Sequence, residues 1–364
     1  MVPSFSDGDV RGFLPLLAQG AALFDRGDMQ FVATGGAQGT PPHQRVAHFP
    51  HSGYHVLRSD WASADAQHLV FDCGPLGEGN HGHFDALSFE LAAFGNALIV
   101  DPGRYTYSES GEDRNWRVHF RSTAAHNTVS VDGLNQTRYV PKPIKEASRH
   151  AHGSVRHKIS GPPPETTLQE AHSGARLDLL HGRCASHEYD AVHERCIVFV
   201  DRCYWIVSDW LRAQTEHDYL LNFQLGAAAQ GRTRLQGEAG FTLLQSAGLA
   251  IAQPQRGGQH ADIGEGWVSS SYGHKQAAPA LRTRCRARNT DFDSVLLASR
   301  EQAPPLRVSE LAVEGASPAL RIDAAGFSDG WFHSRGDTHE APWQIGDWQF
   351  NGRWLHWRTA PDGT

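Results

Sequence analysis

Arg195-Cys196-Ile197-Val198-Phe199-Val200-Asp201-Arg202-Cys203-Tyr204-Trp205-Ile206-Val207-Ser208-Asp209-Trp210 consists of two apolar runs joined by a short polar pair. β-Branched and aromatic residues dominate both runs, and such side chains pack well on a pleated surface. Asp201-Arg202 falls where the chain would reverse, so the stretch predicts a β-hairpin.

Working outward, short runs of the same character recur at 54–58, 68–72, 87–93, 97–101, 128–132, 219–225, 241–245, 267–272, 293–298, 331–333 and 353–358. Gly, Asp, Asn and Ser bound them, while helical periodicity is nearly absent after residue 30. Many short strands with few helices predict a mainly β fold, an antiparallel sandwich or barrel. The exception comes first: at residues 9–25, Val10, Phe13, Leu14, Leu17, Ala21 and Phe24 follow the helical period. Ser6 and Asp7 are candidate caps, and Pro15 is expected to kink or shorten the helix. With no partner helix legible, this element reads as the end of something that precedes it, or as one that docks on a sheet.

The divisions expected are a terminal helix at 1–30, a β-sandwich at 45–300, and a carboxy-terminal β segment and tail at 301–364. Stretches 35–44 and 299–305 mark the joints, and Gly161-Pro162-Pro163-Pro164-Glu165 marks a loop.

Composition excludes several classes. With 40% hydrophobic and 20% charged residues among 364, the chain is globular rather than disordered. A net charge of −7 argues against a general nucleic-acid binder, yet permits a local basic cleft for an anionic sugar. No apolar stretch is long enough to span a membrane, and the first residues lack the pattern of a signal peptide. Cys73, Cys184, Cys196, Cys203 and Cys285 contain no short-spaced pair, so buried thiols are expected rather than a metal knuckle.

The 22 histidines raise the prospect of metal or proton-transfer chemistry. The strongest local signal is Asn80-His81-Gly82-His83-Phe84-Asp85. In an extended segment residues two apart share a face, so His81 and His83 could reach one site together. Two loop histidines in a histidine-rich chain would read the same way. Asp101 ends the apolar run Ala97-Leu98-Ile99-Val100 and precedes Pro102-Gly103, as a ligand or a turn residue. His126 stands just before another strand. Two histidines and a carboxylate at strand ends make a three-ligand site with one open position.

Three blocks together resemble the heparinase II/III-like family. They are His81-Gly82-His83-Phe84-Asp85-Ala86-Leu87-Ser88-Phe89-Glu90, Val100-Asp101-Pro102-Gly103-Arg104-Tyr105-Thr106-Tyr107, and Phe120-Arg121-Ser122-Thr123-Ala124-Ala125-His126-Asn127-Thr128-Val129. Gly266-Trp267-Val268-Ser269 and Ser271-Tyr272-Gly273-His274-Lys275 extend the likeness, which spans residues 50–300 in order.

The resemblance implies lyases that cleave uronic-acid polysaccharides by β-elimination, built from an α/α toroid followed by an antiparallel β super-sandwich. It implies that His83, Asp101 and His126 hold Zn2+ or another divalent metal, and that His81 transfers a proton beside the substrate. The metal would pin the loop that bears His81 rather than polarise the sugar. A periplasmic or extracellular location is also implied. On this reading residues 1–30 are left over from the toroid, whose catalytic asparagine and tyrosine have no assignable counterparts here. A toroid on a longer or separate chain would then be a partner.

β-Elimination needs a base for the C5 proton and an acid for the departing oxygen, and histidine can be either. Arg121 and Arg117 are candidate carboxylate or sulfate partners, or ordinary surface arginines. Tyr105 and Tyr107 either line the cleft or pack in the core. Asn127 either orients His126 or opens a strand, and Glu90 is either buried near the metal or solvated. Trp343, Trp348, Trp354 and Trp357 are expected in the core or at sheet edges. Two rival readings stand beside the lyase: a non-catalytic, metal-stapled carbohydrate-binding or assembly module, and a cupin-like metalloenzyme. Glu90 lies too far beyond His83 for the usual cupin spacing, which also leaves Asp101 unexplained.

Overall fold

In the computed structural model the opening stretch is a hairpin of strands Val192–Val200 and Tyr204–Arg212. Residues 13–77, 81–110, 113–144, 155–314, 316–335 and 342–359 are described. Asp201 and Arg202 turn the hairpin, both in the left-handed region at φ 47° and 55°. The Cys203 N–H closes the turn on the Val200 carbonyl at 2.8 Å, so the three-residue connection is built on a tight turn whose left-handed backbone matches the strand twist. Phe199 pairs with Trp205 across the strands, and their rings stack with centroids 3.5 Å apart.

This hairpin lies in the middle of an eight-stranded antiparallel sheet. Its order is Arg234–Glu238, Phe241–Ser246, Leu249–Pro254, Thr290–Ala298, Tyr204–Arg212, Val192–Val200, Leu177–Ala185 and Glu165–Ser173. Strand geometry sends alternate side chains to opposite faces, and here both faces are covered. Ile197, Phe199, Trp205 and Val207 enter one core. That core is shared with a five-stranded sheet (Val46–Phe49, Tyr54–Arg58, His68–Asp72, Phe89–Ala93, Asn96–Ile99) and a four-stranded one (His260–Ser271, His274–Ala287, His217–Gln224, Val129–Val131). Val198, Val200, Tyr204, Ile206 and Trp210 enter a second core, against a four-stranded sheet of Leu306–Leu311, Ala319–Ala324, Phe327–His333 and Trp354–Thr359. Burial on both faces is why the run reads as continuously apolar instead of alternating. Trp205 and Trp210 are 0% and 1% exposed, and truncating either to alanine should cost about 3–5 kcal/mol.

The antiparallel sandwich expected from the strand pattern is therefore present. The helical end needs one correction. The helix is described over Phe13–Phe24, with Pro15 inside it, and a second helix, Gly27–Ala33, follows at once. Arg26 N–H donates to the Ala21 carbonyl at 3.0 Å, and Gly20 lies against Met29, where an added Cβ would sit 3.3 Å from the sulfur. The first helix thus has a helical partner, which seven residues were too few to announce by periodicity. The proposed caps Ser6 and Asp7 lie outside the described residues, as do residues 360–364 of the expected tail.

Four of the five cysteines are buried and all are free. Trp343 is buried, Trp354 and Trp357 half-buried, and Trp348 exposed. Among the described residues no helix is long and apolar enough to cross a membrane.

Candidate functional site

Three connections of the five-stranded sheet and its neighbour converge on one buried polar cluster. The 81–88 segment leads into strand Phe89–Ala93, Asp101 follows Asn96–Ile99, and His126 follows a short helix, Trp116–Arg121, and a 3-10 turn, Thr123–Ala125. Asn115 starts that helix by accepting the Val118 N–H at 3.1 Å, which satisfies an otherwise orphaned donor.

His83, Asp85, Asp101 and His126 each place one nitrogen or oxygen within 4.8 Å of the others, and all four are buried. His126 Nδ1 meets Asp101 Oδ2 at 2.8 Å, while Asp101 Oδ1 accepts the Gly103 N–H at 2.8 Å. The His83 and His126 rings are 5.1 Å apart. Glu90, also buried, accepts the Asp101 N–H at 2.9 Å. Burial, with Asp85 next to it, holds the Asp72 carboxyl well above the usual carboxylate range. Burial likewise raises Asp85. For His126 burial works against the charged form, but Asp101 outweighs it and the imidazole is raised.

The donor set fits a divalent metal. Two imidazoles and two carboxylates are ordinary ligands for zinc, and a dication would offset the buried negative charge. His126 Nε2 is buried and has no hydrogen-bond partner among the described residues, which suits a nitrogen reserved for a metal. Sequence reasoning assembled His83, Asp101 and His126 but missed Asp85. The signal was available: Asp85 stands two residues after His83, the same spacing that was applied to His81.

His81 lies apart from this cluster and is exposed. Tyr107 Oη is 3.2 Å from its Nδ1, with the rings edge to face at 5.8 Å. The HxH pair therefore divides, one imidazole facing the buried cluster and the other the surface. Gly82 permits this, because a Cβ there would stand 2.3 Å from the Gly77 carbonyl oxygen.

The three residues expected to touch substrate are placed differently. Arg121 is 1% exposed; its Nε donates to the Gly82 carbonyl at 2.8 Å and its Nη1 to Tyr139 Oη at 3.0 Å. It braces the His81–His83 turn from inside. Asn127, 0% exposed, donates to the carbonyls of Phe89 (2.8 Å) and Val100 (2.9 Å) and accepts the Gln224 N–H at 2.6 Å. It ties three strands together beside His126. Tyr105 is buried against Trp116 and Phe120, with Lys275 donating to its hydroxyl at 3.0 Å. Arg117 is buried as well, its guanidinium 4.8 Å from the Tyr107 ring. Arg121, Asn127 and Tyr105 are thus all buried in this geometry, each bonded to neighbouring elements of the fold.

Comparison with known proteins agrees with this arrangement. The family model "Heparinase II/III-like, C-terminal" matches residues 41–309. A heparin-sulfate lyase of Bacteroides stercoris is 27% identical over 251 residues, covering 67% of this chain and 32% of the relative. One from Pedobacter heparinus is 26% identical over 181 residues, covering 50% and 23%. Among solved structures, heparan sulfate lyase HepC of Pedobacter heparinus superposes with a TM-score of 0.71 at 20% identity, covering 89% of this chain and 48% of that one. A heparinase III structure gives 0.69 at 18%, covering 91% and 50%. The chain thus spans less than a third of these curated relatives and about half of the solved chains. Since the family match takes in the sandwich and all three site connections, the chain belongs to the heparinase II/III-like family, matching its C-terminal part.

Proposed function

We propose that this chain is the β-sandwich part of a polysaccharide lyase that cleaves a uronic-acid-containing anionic polysaccharide by β-elimination. The observation that carries the reading is the split HxH: an exposed His81 held on a loop whose next histidine faces a buried ligand cluster. His83, Asp85, Asp101 and His126 would hold zinc or a similar metal, which supplies a fixed positive centre that neutralises the buried carboxylates and ties three connections together. Their burial favours a structural metal over one in contact with substrate.

In the proposed reaction a base removes the C5 proton, the C4–O bond breaks as a C4=C5 double bond forms, and an acid protonates the departing oxygen. His81 is the proton-transfer group that this chain contributes. The names of the curated relatives, heparin-sulfate lyases, support a glycosaminoglycan as the substrate class. Remaining catalytic groups would come from a toroid domain on a longer or separate chain.

Elimination creates an absorbing unsaturated uronate, so the test is ultraviolet absorbance on incubation with heparan sulfate and the toroid part of a relative, for wild type and His81→Ala. Product formation lost in the variant supports the reading. A second reading, a metal-stapled carbohydrate-binding module without catalysis, is favoured by the full burial of the ligand cluster, which suits a purely structural metal. Sugar binding without product, even with the toroid part of a relative supplied, would select it.

A further inference from the structure

Beside His81 the surface carries a second feature that the ligand cluster does not explain. The loop after Asp101 and the hairpin turn between His260–Ser271 and His274–Ala287 are strapped together. Ser269 N–H donates to the Pro102 carbonyl, and Gly273 N–H to the Tyr105 carbonyl, each at 2.8 Å. Gly103, at φ 75°, lets them close, since a Cβ there would stand 2.2 Å from the Ser269 carbonyl oxygen. The strap brings Tyr272, at the tip of the turn, to Tyr107, with ring centroids 5.8 Å apart. Arg104 stands against both rings, its guanidinium carbon 5.2 Å from the Tyr107 centroid and 5.3 Å from that of Tyr272. Its Nη1 donates to Tyr107 Oη at 3.0 Å, and the same phenol oxygen is 3.2 Å from His81 Nδ1.

Two properties make this group suited to a sugar. Tyr272 is 50% exposed, and a large ring held at the surface by its neighbours offers apolar area at little entropic cost. A guanidinium held near two aromatic rings and hydrogen-bonded to one of them is restrained, and its planar fork can pair bidentately with carboxylate or sulfate.

We propose that Tyr272, Arg104 and Tyr107 form a subsite that binds one anionic sugar ring next to the position where His81 acts. Tyr272 supplies the platform, Arg104 pairs with the ring's carboxylate or sulfate, and Tyr107 is a positioning residue that joins this subsite to His81. The subsite rests on the polysaccharide reading given above, but its test reads binding and not cleavage.

The chain is titrated calorimetrically with a heparin-derived tetrasaccharide and with the desulfated tetrasaccharide, which keeps its carboxylates. Tyr272→Ala should weaken binding about tenfold, and Tyr272→Phe should stay within about twofold of wild type, because the ring and not the hydroxyl carries the contact. Arg104→Gln should weaken binding about tenfold or more, and Arg104→Lys should recover only part of it. A loss in Arg104→Gln confined to the sulfated sugar assigns the partner as sulfate, and an equal loss on both assigns it as carboxylate. No wild-type binding of either sugar, or a Tyr272→Ala affinity within twofold of wild type, overturns the subsite. Measuring unsaturated product in parallel separates the two proposals. Product with unchanged affinity in both variants sinks the subsite alone, whereas Tyr272-dependent binding without product in an assembled enzyme sinks the lyase reading alone.

Discussion

Two clusters of buried charge among the described residues are compensated in different ways. In the middle of the large sheet Asp209 meets Arg195 Nε at 2.7 Å and His193 at 2.6 Å, and Asp293 meets Arg335 and Arg256, each at 2.6 Å. Arginine supplies the opposite charge there, so both aspartate carboxyls are held below the usual range despite full burial. At the junction of the smaller sheets the cluster is Asp72, Asp85, Glu90 and Asp101 with His83 and His126. Imidazole carries charge only when protonated, and here burial leaves Asp72 and Asp85 raised. Arginine-paired carboxylates make a finished staple, whereas the imidazole–carboxylate set has the chemistry of a metal site. Arg195 also spans the two regions, since its Nη1 donates to the Leu87 carbonyl at 2.6 Å and to that of Asn127.

The contrast can be broken at either end. Asp209→Ala strips the partner from a guanidinium that is 0% exposed and should cost about 3–5 kcal/mol of folding stability in denaturant titrations. The same loss should appear with and without a chelator; a loss that vanished with chelator would tie this network to the metal and collapse the distinction. His83→Ala and Asp101→Ala should release bound zinc in elemental analysis and cost about 2–4 kcal/mol when metal is in 100- to 1,000-fold excess over its dissociation constant. A chelator should reproduce that cost in wild type and add little to either variant. Asp85→Asn should lower metal content as well; full retention would leave Asp85 outside the ligand set.

Acid should act on other groups. Burial pushes His68 and His333 down to about 3, and His55 and His119 down to about 4. Each is neutral when folded but takes up a proton when unfolded below about pH 6.5, so the unfolded state gains protons and stability falls as the pH drops from there toward the folded values. The slope should amount to about 1–2 kcal/mol per histidine by pH 5, and His68→Gln should flatten it. An unchanged profile in that variant would place His68's proton uptake elsewhere. The smallest effect belongs to His81→Ala, which should leave metal content unchanged and folding stability within about 0.5 kcal/mol of wild type, as surface substitutions do. Destabilisation equal to that of His83→Ala would make His81 part of the staple.

Much of this was legible in the residues. Turn chemistry at Asp201-Arg202 and the β-branched runs around it specify a hairpin, because those preferences are local. Sequence order and the three motif blocks were enough to name the family and to bring His83, Asp101 and His126 forward together. Strands such as Leu177–Ala185 and His274–Ala287 escaped because their polar residues, among them His181 and Arg282, are absorbed by cross-strand partners that local pattern does not reveal. Arg121 looked like a substrate ligand for the same reason: guanidinium chemistry is identical on a surface and inside, and only the fold puts its Nε on the Gly82 carbonyl.

What the sequence determined by itself was therefore the class of fold and the residue types that were candidates for a ligand cluster, since periodicity, turn preference and side-chain chemistry reside in individual residues. The tertiary structure alone decided that Asp85 joins His83 in the buried cluster, that Arg121 is enclosed, and that Tyr272 reaches Tyr107 from 165 positions away in the numbering. Those outcomes depend on which strands pack on which, and packing is a property of surfaces that meet only once the chain has folded.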